Sequence, residues 1–88
     1  MIEQEFTIPN KLGMHARPAA LLVRTTAEFE SDVYILKDGQ IDNGKSIMGV
    51  MTLAAEFGSV LTFQIEGEDE EDTLEAIEKI FERKFDED

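Results

Sequence analysis

The chain has no cysteine and no tryptophan, one tyrosine, two prolines and a single histidine. Without cysteine it can hold neither a disulfide nor a thiolate metal site, and a reducing compartment is compatible with it. No apolar run approaches the roughly twenty residues of a membrane span. The opening MIEQEFTIP has neither the basic nor the apolar segment of a secretory signal. A cytoplasmic protein without membrane association is expected. Bases are scarce: eight lysines and arginines face twenty acids, for a net charge of -12. Such a surface repels polyanions, which argues against nucleic acid or anionic lipid as a partner.

What is present is enough for one compact domain over residues 1–88, with six phenylalanines and many aliphatic side chains for its core. Its charge is uneven. Residues 66–88 hold twelve acids and three bases, whereas residues 1–65 hold eight acids and five bases. No acid occurs over residues 10–27, which contain Lys11, Arg17 and Arg24, or over residues 43–55, which contain Lys45. Two windows of a very acidic chain thus avoid negative charge. Handling of an anionic group there would explain this; chance combined with the charge preferences of helix ends is the alternative.

The hydrophobic period gives the element order. Ile2, Gln4, Phe6 and Ile8 alternate with Glu3, Glu5 and Thr7, which predicts a half-buried strand ended by Pro9-Asn10. Residues 16–27 predict a helix with apolar positions 16, 19, 20, 23 and 27. A strand over 33–37 turns at Asp38-Gly39, a hairpin signal, into a short strand at 40–42. Ser46 is a good N-cap for a helix running to about Phe57, with Gly58 closing it. A strand over 60–66 follows, then a helix over 69–85 with Leu74, Ile77, Phe81 and Phe85 on one stripe, and a frayed tail at 86–88. The order βαββαβα, with helices that each need one buried face, implies a two-layer α+β domain.

His15 carries the chemistry. It immediately precedes the first helix, with Arg17 and Pro18 in the first turn. A helix N-terminus offers unpaired N–H groups and the positive end of a dipole, a natural phosphate cradle. Imidazole, with a reference pKa of about 6.5, supplies a neutral nucleophile near pH 7. Pro18 gives up only an amide that the first turn would leave unpaired. A histidine that carries a phosphoryl group, with Arg17 meeting the phosphate, fits these residues.

The segments LGMHARPA at 12–19 and GKSIMGVM at 44–51, in this element order, resemble the HPr family. These are the histidine-containing phosphocarriers of the phosphoenolpyruvate-dependent sugar phosphotransferase system. The resemblance covers essentially the whole chain. It implies an open-faced β-sandwich, four antiparallel strands with three helices on one face. It further implies phosphorylation of His15 on Nδ1 by enzyme I and transfer to enzyme IIA domains of sugar permeases, with Arg17 binding the phosphate. The protein would be a carrier without an enzymatic turnover of its own. The Ser46 context resembles the serine modified by HPr kinase/phosphorylase, a role compatible with capping. A transcriptional regulator is a further partner this implies. Position 54 is alanine, where some relatives have glycine near the phosphate site.

At about 100° per residue, Ile47, Met48 and Met51 share one side of the second helix and Val50, Leu53, Ala54 and Phe57 another. One side must be core; the other makes an adaptable, methionine-rich contact surface. The family assigns docking to Ile47, Met48 and Met51, and Arg24 and Lys45 complete the expected docking set. Residues 39–46 also match the P-loop pattern GxxxxGKS. That match is rejected, because Asp38-Gly39 makes a hairpin and the chain is too small for the parallel sheet a P-loop needs. The acidic run at 66–72 lacks the spacing of a calcium loop. No metal, no cofactor and a monomeric state are expected. Beside the carrier stand a regulatory relative acting through Ser46 or through an incomplete or nitrogen-type relay, and an acidic interaction module without phosphochemistry.

Overall fold

A computed structural model describes residues 1–87. Its order is β1 (Ile2–Thr7), α1 (Ala16–Thr26), β2 (Asp32–Lys37), β3 (Gln40–Asn43), α2 (Ile47–Thr52), β4 (Val60–Glu66) and α3 (Glu70–Glu82). The four strands form one sheet in the order β1-β4-β2-β3, every pair antiparallel. The open-faced α+β sandwich expected from the family is the fold observed.

Alternation explains the layering. Phe63 lies opposite Gln4 on one side and Ile35 on the other, so Phe6, Leu61, Ile65, Val33 and Ile35 share its face. That face meets the helices, with Leu22 of α1, Val50 of α2 and Ile77 of α3 fully buried on it. Phe6 stacks on Phe81 at 4.6 Å between ring centres, and Phe63 meets both rings edge-on. The opposite face is open and carries Tyr34, Ile41 and Val60 among polar side chains. Asp38 (φ 51°) and Gly39 (φ 84°) form the β2–β3 hairpin turn, with both central residues in the left-handed region as a type I′ turn requires. The GxxxxGKS match therefore wraps a hairpin strand.

Four expectations need correction. The buried stripe of α1 is Pro18, Ala19, Leu22 and Thr26, rotated from the expected one, and Ala16 and Ala27 are exposed. Thr26 can be buried because its hydroxyl donates to the Gly44 carbonyl at 2.8 Å. The second helix stops at Thr52, five residues short of Phe57. Ala54 turns left-handed (φ 51°), its N–H bonding back to Met51, and the chain is drawn off to offer the Ala55 carbonyl to Met14 at 2.8 Å. Gly58 thus closes no helix; its N–H donates to Ile8, and Ala54 and Phe57 are exposed. The third helix ends at Glu82. Lys84–Asp86 then form a left-handed turn (φ 53°, 56° and 59°) that sends Phe85 into the core. The tail expected to fray is held at Asp86 and Glu87; Asp88 lies outside the described residues.

Candidate functional site around His15

Three short hydrogen bonds build the loop before α1. Asn10 accepts from the Gly13 N–H at 3.1 Å and its side-chain amide donates to the Gly13 carbonyl at 2.8 Å. The Met14 N–H is taken by Ala55. Gly13 (φ 75°) passes so close to this segment that a Cβ there would stand 2.7 Å from the Ala55 oxygen. The loop is therefore welded to the chain leaving α2, and His15 is delivered in extended conformation (φ -86°, ψ -171°) to the N-cap of α1.

His15 occupies the cap position without capping. Its carbonyl accepts from Ala19, but its ring makes no bond to the helix amides. Ser46, at the same position of α2, does cap, its hydroxyl accepting from the Gly49 N–H at 3.1 Å. Neither helix has an acid in its first turn, whereas α3 opens with Glu70, Glu71 and Asp72. The positive ends of α1 and α2 thus have no acid of their own first turn to face.

The His15 ring is instead held by Glu87. Nε2 lies 3.0 Å from Oε2 and 3.2 Å from Oε1, with the His15 side chain 39% exposed and Glu87 only 10%. Asn10 Nδ2 donates to Glu87 Oε1 at 2.9 Å. The Asn10 bond holds the Glu87 carboxyl below its ordinary value; burial opposes this, and the bond and charge of His15 and the charge of Arg17 reinforce it. Nδ1 has no hydrogen-bond partner among the described residues.

The other expected residues fall in four places. Arg17 is exposed in the first turn of α1, near enough for its charge to act on Glu87. Ile47, Met48 and Met51 are exposed on α2 at 42%, 72% and 38%. Arg24 lies in the last turn of α1, roughly 13 Å along the axis from His15. Lys45 is occupied, its ammonium donating to the Phe29 carbonyl at 2.7 Å and tying the end of α1 to the approach to α2. Leu12 and Phe57, 76% and 62% exposed, are not in the docking set expected from the sequence, which puts Phe57 on the other side of the second helix. Leu12 lies in the His15 loop and Phe57 two residues beyond the carbonyl that anchors it. An apolar side chain beside a loop glycine was the available signal. Asn10 and Glu87 were missed as well.

An imidazole at a helix start, beside an exposed guanidinium, on a small open-faced sandwich matches the phosphocarrier class of protein. The family described as "PTS HPr component phosphorylation site" matches residues 2–83. The phosphocarrier protein HPr of Xylella fastidiosa (strain Temecula1 / ATCC 700964) is 48% identical over 88 residues, covering 100% of this chain and 99% of the relative. The crystal structure of HPr from Thermoanaerobacter tengcongensis superposes with a TM-score of 0.95 at 44% identity, covering 100% of this chain and 99% of that one. The regulatory relative Crh of Bacillus subtilis, crystallised as a domain-swapped dimer, gives a TM-score of 0.75 at 42% identity over 96% of this chain and 97% of that one. The chain belongs to the HPr family, phosphocarrier proteins of the phosphotransferase system.

Proposed function

We propose that His15 accepts a phosphoryl group from phospho-enzyme I on Nδ1 and passes it to enzyme IIA domains of sugar permeases. The observation that carries this is a cap-position histidine whose ring caps nothing and whose Nδ1 has no hydrogen-bond partner among the described residues, at a helix start with no acid in its first turn. Arg17 stabilises the phosphate. Ile47, Met48 and Met51 form the apolar part of the partner surface, extended by Leu12 and Phe57. Arg24 supplies charge at its edge, and Lys45 supports it by fixing the approach to α2. Ser46 is a regulatory phosphorylation site for an HPr kinase/phosphorylase, and a transcriptional regulator is the partner for that form. The working unit is a monomer in the cytoplasm.

The test is incubation with phosphoenolpyruvate and enzyme I. One phosphate per chain is expected, acid-labile and base-stable as a phosphoramidate is, and absent from a His15→Ala variant. Undiminished labelling of that variant would place the phosphate elsewhere. Light scattering on the same material checks the monomer.

A further inference from the structure

We propose that Asn10 and Glu87 form a positioning relay that fixes the proton of the neutral His15 ring on Nε2 and so keeps the Nδ1 lone pair free for phosphorus. The inference rests on the phosphocarrier role of His15 proposed above. Each end of the relay is set by chemistry. Asn10 is wholly buried, and its amide faces two groups that can only accept, the Gly13 carbonyl and the Glu87 carboxylate. The NH₂ must therefore point at both, which leaves Asn10 Oδ1 buried without a partner among the described residues. That unpaired oxygen is a cost accepted at this one place. Glu87, gripped through Oε1, turns Oε2 to Nε2 at 3.0 Å. An ionised carboxylate can only accept, so the neutral ring must donate from Nε2. The carboxylate–imidazole pair of hydrolytic triads fixes its tautomer by the same logic.

The step balances without moving a proton. The Nδ1 lone pair forms the N–P bond, the bond from phosphorus to the donor's leaving atom breaks, and its electron pair departs with the donor. The Nε2 proton stays in place, and the positive charge gained by the ring faces the Glu87 carboxylate. Transfer onward returns the electron pair to Nδ1, again with no proton transfer at the ring.

Two variants give opposite signatures. In Glu87→Ala no acceptor selects Nε2–H, so the tautomers mix. In Glu87→Gln the Asn10 NH₂ captures the new amide oxygen, turning the amide NH₂ toward His15 Nε2 and driving the proton to Nδ1. Ring tautomers are read by long-range ¹⁵N–¹H correlation on the unphosphorylated, ¹⁵N-labelled protein at about pH 8.5, above the usual imidazole range. Wild type is expected as Nε2–H, Glu87→Ala as a mixture and Glu87→Gln predominantly as Nδ1–H. The maximal rate of phosphate uptake from enzyme I should fall about 10-fold in Glu87→Ala and further in Glu87→Gln, with KM changed little. Circular dichroism establishes that both variants are folded. One tautomer distribution common to all three proteins overturns the relay, and so does a faster Glu87→Ala, which would make the contact inhibitory. Those results leave His15 phosphorylation standing, whereas a wild-type chain that takes no phosphate on His15 overturns the carrier role itself.

Discussion

At the residue scale, Arg17 tests the proposed phosphate contact, because its chemical and structural roles can be read separately. It is exposed and lies outside the hydrophobic core. Arg17→Ala is expected to keep the wild-type melting curve while slowing phosphoryl uptake. A charge-assisted contact to phosphate is worth about 1.5–3 kcal/mol, or roughly 10–100-fold in rate. Stopped-flow transfer at wild-type rates in both directions would reduce Arg17 to surface decoration. His15 and Arg17 were legible in the sequence because a lone histidine before a helix run is a local feature. Glu87 was not. Its partner lies 72 positions away, and one more acid in an acid-rich segment has no local signal. Asn10 looked like a strand-terminating residue after Pro9, which it also is.

At the element scale, the strands agree with their expected bounds to within a residue or two, because period-2 alternation is set by the sheet itself. Helix ends obeyed tertiary contacts instead. Nothing local stops a helix at Thr52 or Glu82; the Ala55–Met14 bond and the burial of Phe85 do. Three left-handed residues at 84–86 cost about 1–2 kcal/mol each, which burial of one phenylalanine, at up to about 3 kcal/mol, offsets in part. At Ala54 a similar cost is removable. Glycine there relieves about 1–2 kcal/mol of left-handed strain but adds about 0.4–1 kcal/mol of unfolded-state entropy. Ala54→Gly should gain about 0.5–1 kcal/mol and raise the melting temperature by roughly 2–8 °C. A lowered melting temperature would mean that Ala54 makes a contact of its own. The start of α3 makes a further prediction. The Asp69 carboxylate accepts from the Ser31 hydroxyl and from the Glu30 and Ser31 N–H groups at 2.9 Å, clamping the α1–β2 loop. The Ser31 bond leads in holding its carboxyl below the ordinary 3.8. A carboxyl lowered in the folded state stabilises fully above its unfolded value and loses that contribution as pH falls through the folded one. Urea melts of wild type should therefore lose more stability between about pH 4 and pH 2 than those of Asp69→Asn. Parallel losses would show that Asp69 is not the clamp.

At the scale of the whole molecule, charge is partitioned. The acids crowd α3 and the segment after it, while the starts of α1 and α2, with the apolar side chains Ile47, Met48 and Met51, lie in the two acid-free windows. A phosphate on Ser46 would put a charge of about -1.5 to -2 into one of those windows. For the isolated domain this is favourable. Ser46 is already the N-cap of α2, the helix has no first-turn acid, and the dianion would face the Gly49 N–H and the positive helix end. The melting temperature should hold or rise slightly. For docking the same charge is unfavourable. It stands next to Ile47 and Met48, and an apolar interface closing over them must strip its water. It also repels acids on a partner that would otherwise meet Arg17. Ser46 phosphorylation, or a Ser46→Asp mimic, should therefore leave the fold as stable as before while slowing phosphorylation of His15 by enzyme I. Both halves are read on one sample, by a melting curve and an initial-rate assay. A lower melting temperature would refute the capping half. An unchanged rate would refute the docking half and leave Ser46 a structural cap alone.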